Sequence, residues 1–287
     1  MLNMTRRQAI RAAYEDACRQ EIEALKPGNV HLFADGHRMT AQEFLTSAQV
    51  SSDPLTDPAL SLGQRIVEAV RATRAAVGTN TNLGIILLCA PLAAAAAPER
   101  GSLRERLGHA LQAIDLDDTA AVFEAIVLAS PGGLGAASAH DVHERPTVGL
   151  LKAMGQAADR DRIARQYISG FADIFELGLP ALETSIDRGE TGMWPAVHCY
   201  LAFLTAFPDS HVQRKFNLET AQKVRNEALS VHARFLSAPD DRRRIELLSE
   251  FDARLKERGI NPGTSADLTV ACLLVHNLGG RLAQLSG

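Results

Sequence analysis

No two of the four cysteines form a C-x-x-C pair: Cys18, Cys89, Cys199 and Cys272 stand far apart in the chain. That spacing excludes a zinc knuckle and a dithiol redox pair. Each lies in an apolar, helix-like context, where a buried free thiol is expected, which suits a reducing cytoplasm. A basic excess is also missing. Thirty Lys+Arg face 34 Asp+Glu, a net charge of −4, which argues against a general nucleic-acid binder while leaving room for a local basic pocket. The opening stretch, MLNMTRRQAIRAAYEDAC, has two early arginines and no apolar signal core behind them. The most apolar run, LGIILLCAPLAAAAA at 83–97, is too short to cross a bilayer comfortably and is interrupted by Pro91. It reads as a buried core helix, so no membrane partner is expected. Strands have no signature either: no β-branched run alternates with polar residues between turns. Internal repeats and low-complexity linkers are absent.

What remains is helical periodicity in a chain of 287 residues that is 46% hydrophobic. Ile10, Ala13, Tyr14, Ala17, Cys18, Ile22 and Leu25 recur at helical spacing over 5–25. Thr40 with Glu43 and Ser102 with Glu105 read as capping boxes. Further helices are expected over 61–77, 83–97, 118–129, 148–158, 160–177, 180–187, 193–206, 217–237, 240–257 and from the NPGTSADL stretch to 284. Asn82 is the expected cap of the 83–97 helix, Asp117 or Asp118 that of 118–129, and Gly259 a C-cap. The expectation is an all-α, single-domain multi-helix bundle, because neither half can bury its apolar helices alone.

The inter-helix segments carry more chemistry than turns require. KPGNVHLFADGH, 26–37, holds Lys26, His31, Asp35 and His37 between Gly28 and Gly36. Pro27 should end the first helix and fix Lys26 at its exit. Val30, Leu32 and Phe33 offer apolar anchors that would turn Lys26 toward a phosphate and Asp35 toward a metal or a ribose. The other reading is a loop stapled to the core with its charges in water. GTNTN, 78–82, precedes an apolar helix. Amides at a helix start attract anions, and Thr79, Asn80, Thr81 and Asn82 could add side-chain contacts; the same residues serve a plain cap. In GGLGAASAHDVHE, 132–144, Gly132 and Gly133 let backbone amides approach a phosphate. His140, Asp141, His143 and Glu144 place four ligand or acid–base groups within five residues, of which Asp141 and Glu144 suit Mg²⁺. In DSHVQRK, Asp209 could hold a metal while Arg214 and Lys215 neutralise phosphate. Asp267, in NPGTSAD, falls in a first helical turn, where a carboxylate is favoured by the dipole alone.

KPG, GTNT, GGLG…HDV and PGTSADL, in that order, with PTVGLLKAMGQAADRDRIARQY at 146–167, resemble the triphosphoribosyl-dephospho-CoA synthase family from about Glu21 to about Leu274. The resemblance implies an all-α transferase that uses ATP as a donor. The acceptor ribose hydroxyl attacks C1′ of the ATP ribose, and adenine leaves. It implies ATP and Mg²⁺, nucleotide and cofactor-like small molecules as partners, and shared duties for Lys26, Asp35, Asp141, Glu144, Asp209, Arg214, Lys215 and Asp267. Ser265 and His140 join the binding set through the same motifs. Two departures mark a divergent branch. Asn82-Leu83 stands where the family has His-Lys after GTNT, and DSHVQRKFN stands where it has a His-Arg-Gly-Gly type ending. The acceptor is therefore open between a dephospho-CoA-like molecule and another cofactor such as a methanopterin-type carrier. A homo-oligomer is left open too. Two rival readings stand beside this one. His109, His140-Asp141 and Asp209 follow the H…HD…D order of an all-α metal-dependent phosphohydrolase. A non-catalytic nucleotide-binding helical module is the third.

Overall fold

The computed structural model describes residues 4–32, 40–130 and 142–285. Among them are fourteen α-helices and no strand, as the periodicity requires. The first six are α1 (Arg6–Glu23), α2 (Ala41–Leu55), α3 (Leu62–Val77), α4 (Leu83–Ala96), α5 (Leu103–Gln112) and α6 (Leu116–Ala129). After the 131–141 segment come α7 (Leu150–Ala157), α8 (Arg162–Ser169), a π-helical turn Ile174–Gly178, α9 (Leu179–Asp187) and α10 (Trp194–Ala206). The last four are α11 (Ser210–Lys215), α12 (Leu218–Leu236), α13 (Asp241–Glu257) and α14 (Gly263–Ala283). None is long and apolar enough to cross a membrane among the described residues.

Capping chemistry sets many of the helix starts. Thr5/Gln8, Thr40/Glu43, Ser61/Gln64 and Ser102/Glu105 are all complete capping boxes, in which side chain and backbone satisfy each other's orphan amides. The start of α6 corrects the expectation. Asp115, not Asp117 or Asp118, accepts the amide of the third residue. Asp118 instead accepts from the Gly63 amide at 2.7 Å and from the Ser61 hydroxyl, which hooks α3 onto α6. The helix expected over 160–177 is broken at Gly170–Phe171, both with positive φ. The expected loop 207–216 contains the short α11, and the NPG segment is shorter than expected because α14 begins at Gly263.

Helix α4 lies at the centre. All its residues but Gly84 and Ala94 are buried, so it has no amphipathic face, as a helix packed on all sides must. Pro91 sits inside it and cannot donate to the carbonyl four residues back. That carbonyl, of Leu87, instead accepts from the buried Tyr167 hydroxyl at 2.7 Å, so the kink-prone position leaves no orphan acceptor. Helix α14 packs on α4, α1 and α10. One continuous apolar cluster runs from Ile10 to Leu278, and all four cysteines are buried and free.

Candidate active site

Four helices begin close together around α14. A single carboxylate joins two of them. Asp209 Oδ1 accepts from the amides of His211 and Val212, capping α11. Asp209 Oδ2 accepts from the Ser265 amide and the Ser265 hydroxyl, both at 2.8 Å, capping α14. Ser210 bonds Thr264 at 2.9 Å and accepts from the Arg162 amide at 3.1 Å, which brings in the start of α8. Asp161 caps α8 with Oδ1 and holds Arg214 at 3.2 Å with Oδ2. Helix α4 contributes the fourth start. A Cβ on Gly84 would overlap the Asp267 carboxylate and the Ile163 side chain, so the carboxylate of α14 lies directly on the backbone of the first turn of α4. Aligned amides give that end positive potential.

Asp267 is half-buried, and among the described residues no hydrogen bond or ion pair engages its carboxylate. Burial pushes its pKa well above the usual carboxylate range; the charges of Glu21 and Asp209 push the same way, and Arg214 opposes them. Asp209 is also raised by burial, against the pull of its four donors. The site thus combines one unengaged carboxylate, one arginine, two substantial helix starts (α4 and α14) and the imidazole of His211.

Several expected site residues are placed elsewhere. Lys26 is fully buried and donates to Val30 O at 2.7 Å while pairing with Glu21 at 3.0 Å. That geometry corrects its assignment to phosphate, since its ammonium is spent inside the core. Burial lowers Lys26 and raises Glu21, each opposed by the other's charge. His31 is also buried, with Nε2 at 3.4 Å from Asp252 Oδ1 and 3.4 Å from Lys256 Nζ, so it too belongs to a structural network. Around these, Gly28 N–H donates to Asp252 at 2.8 Å, Asn29 to Asn261 at 2.8 Å, and Tyr200 to Pro27 O at 2.7 Å. Residues 26–31 of the loop thus face inward and are stapled to α13 and its C-terminal neighbour Asn261. Val30 anchors it, whereas Leu32 is 58% exposed.

In GTNTN, Asn80 Oδ1 caps the Leu83 amide at 3.1 Å, doing the task expected of Asn82. Asn82 Nδ2 instead turns inward to Ser51 Oγ at 3.3 Å, which also bonds Tyr14, and Thr81 bonds Ser47. Thr79 is half-buried beside them. Asn82 is therefore a core hydrogen-bonding residue and not an open phosphate contact. Asp209 and buried Ser265 satisfy each other, which corrects the metal role of the first and the ligand role of the second. Exposed Lys215 reaches Gly259 O at 3.3 Å, beyond the end of α13. Glu144 is exposed on the segment before α7. Asp35, Gly132, Gly133, His140 and Asp141 lie outside the described residues, as do Phe33 and His37.

The phosphohydrolase pattern fares no better. His109 is exposed on α5, in a hollow shared with Arg100, Arg106 and Gln112, while Asp209 is 1% exposed inside its double cap. No group of three His, Cys, Asp or Glu among the described residues could hold a metal. Sequence reasoning missed Glu21, Gly84, Asp161 and His211. Only His211 carried a readable signal, its place two residues after Asp209 in DSHVQRK.

An all-α bundle that gathers helix starts around an arginine and an unengaged carboxylate has the features of a site for a phosphorylated small molecule. The sequence model of the CitG family, ATP:dephospho-CoA triphosphoribosyl transferase, matches residues 7–285, and the chain belongs to that family. A curated relative from Pseudomonas syringae pv. tomato (strain ATCC BAA-871 / DC3000) is named "Probable 2-(5''-triphosphoribosyl)-3'-dephosphocoenzyme-A synthase". It is 31% identical over 117 residues, a match that spans 41% of this chain and 40% of the relative. A crystal structure from Archaeoglobus fulgidus, described as that of a "putative triphosphoribosyl-dephospho-coA synthase", shares the fold. Its TM-score is 0.63 at 24% identity, covering 82% of this chain and 99% of that one.

Proposed function

We propose that this protein transfers the triphosphoribosyl group of ATP to a dephospho-CoA-like acceptor with release of adenine, acting as one domain in a reducing cytoplasm. The observation that carries the proposal is the family match over residues 7–285. The geometry around α14 supports its location. Helix starts and Arg214 supply positive potential for a triphosphate, and Asp267 supplies the negative charge that a ribosyl centre with oxocarbenium character favours. Burial and neighbouring carboxylates disfavour a lone charge on Asp267, and the arrival of a cationic centre or a metal removes that penalty.

Mg²⁺ is part of the proposal. Its usual demand is one or two carboxylates plus substrate phosphates, and Asp267 fits because its oxygens are not consumed by hydrogen bonds, as those of Asp209 are. Bound there, the ion would neutralise phosphate charge. Asp35, Asp141, Glu144, Gly132, Gly133 and His140 remain in the proposed set. Four buried free thiols support the reducing compartment. The test is incubation with ATP, Mg²⁺ and dephospho-CoA, followed by mass spectrometry. Free adenine and a triphosphoribosylated acceptor in equal amounts are expected. Phosphate or pyrophosphate release without adenine would overturn the transferase reading in favour of hydrolysis.

A further inference from the structure

His211 lies on the first turn of α11, half-buried, and its position is fixed from three directions. Its amide is bonded by Asp209 Oδ1 at 2.9 Å and by Thr264 Oγ1 at 3.1 Å. Its ring lies so close to Gly263 that any Cβ there would overlap Nδ1. Gly263 opens α14, and Asp267 follows four residues later. Residues at i and i+4 share a helix face, with Cβ positions about 6 Å apart. The imidazole and the unengaged carboxylate therefore occupy consecutive places on one stripe of α14. Across that stripe stand Gly84 of α4 and Ile163 of α8. The two glycines are what permit this closeness. At Gly263 the ring, and at Gly84 the carboxylate, takes the space of a side chain.

A glycosyl transfer to a hydroxyl needs a group that accepts the hydroxyl proton. The two carboxylates that flank the imidazole are poor candidates: Asp209 has both oxygens committed, and Asp267 is placed to face developing positive charge. We propose that His211 is the proton acceptor of the reaction, a reading that rests on the proposed function. As the acceptor oxygen attacks C1′, its proton moves to the imidazole of His211. The new O–C1′ bond forms as the C1′–N9 bond breaks, and its electron pair departs with adenine. Adenine takes a proton from solvent, and His211 returns its own to solvent, so no oxidant, reductant or further reactant is required. With Nδ1 turned to α14, Nε2 is the ring nitrogen directed away from that helix. Asp209 acts here as a positioning residue, since it clamps the His211 backbone.

The test uses the full chain with ATP, Mg²⁺ and dephospho-CoA, comparing wild type with His211→Asn and His211→Ala across pH. The expected loss in kcat is about 10²- to 10⁴-fold, with KM for ATP within about threefold. The acid limb of the kcat/KM profile should vanish in both variants, and added imidazole should restore part of the activity of His211→Ala. A kcat within about tenfold of wild type, or an acid limb that persists, overturns the proposal. Gly263→Ala gives a second check that leaves the imidazole in place but displaced, and unchanged kcat in that variant also counts against it. If wild type releases no adenine, the proposed function itself fails. His211 is then judged by NMR: an imidazole signal that shifts on ATP addition keeps it at the nucleotide site, and one that does not removes it.

Discussion

Replacing Lys26 by methionine separates a core ion pair from a phosphate contact. Lys26 has no exposed surface, and its ammonium is held by Glu21 at 3.0 Å and by the Val30 carbonyl at 2.7 Å. Methionine fills much of the same volume but leaves Glu21, itself only 3% exposed, without its counter-charge. Breaking a buried pair from one side costs about 3–5 kcal/mol, whereas replacing both partners by groups of similar shape is close to neutral. The Val30 carbonyl adds about 1 kcal/mol for a lost hydrogen bond. Lys26→Met alone should therefore destabilise by about 4–6 kcal/mol. The double variant Glu21→Gln/Lys26→Met should recover at least half of that, a coupling of about 2 kcal/mol or more. Urea unfolding of wild type, both single variants and the double variant measures every corner of the cycle. A phosphate-binding lysine would give the opposite pattern: stability nearly unchanged and KM for ATP raised. A loss below about 1 kcal/mol, or strict additivity, would refute the buried-pair account.

Gly84→Ala should lower adenine formation by at least about tenfold while Tm moves only a few degrees, since the new methyl displaces Asp267 while alanine favours the helix by about 1 kcal/mol. Unchanged turnover would detach Asp267 from the reaction. Burial holds His31 below its usual pKa, so between that depressed value and about 6.5 the unfolded chain binds more protons than the folded one. Stability should then rise with pH across that window and be lost as pH falls through it. His31→Gln should flatten the rise relative to wild type, a difference in which the raised carboxyls cancel; identical Tm profiles between pH 5 and 7 would contradict the assignment.

The sequence by itself determined the all-helical class, because an apolar period near 3.6 and four-residue capping patterns are local properties. Thr40 with Glu43 and Ser102 with Glu105 meet within one turn whatever the rest of the chain does. The ordered motifs likewise pointed to the family. Val30 was legible as an apolar anchor of the loop between α1 and α2, but the partner of Lys26 was not. Glu21 is nearby in sequence, yet Asp252, Lys256 and Asn261, which complete the network, come more than 200 residues later. The same limit applies to Asp209 and Asp267. As isolated carboxylates in loop-like strings they look equivalent. Only the tertiary structure distinguishes them, because it brings the Ser265 amide and hydroxyl to one and the bare backbone of Gly84 to the other. A carboxylate surrounded by donors is a clamp, while one set against a helix start with no donor of its own can respond to a ligand. That difference depends on how α4, α8, α11 and α14 pack, which no single stretch of sequence encodes.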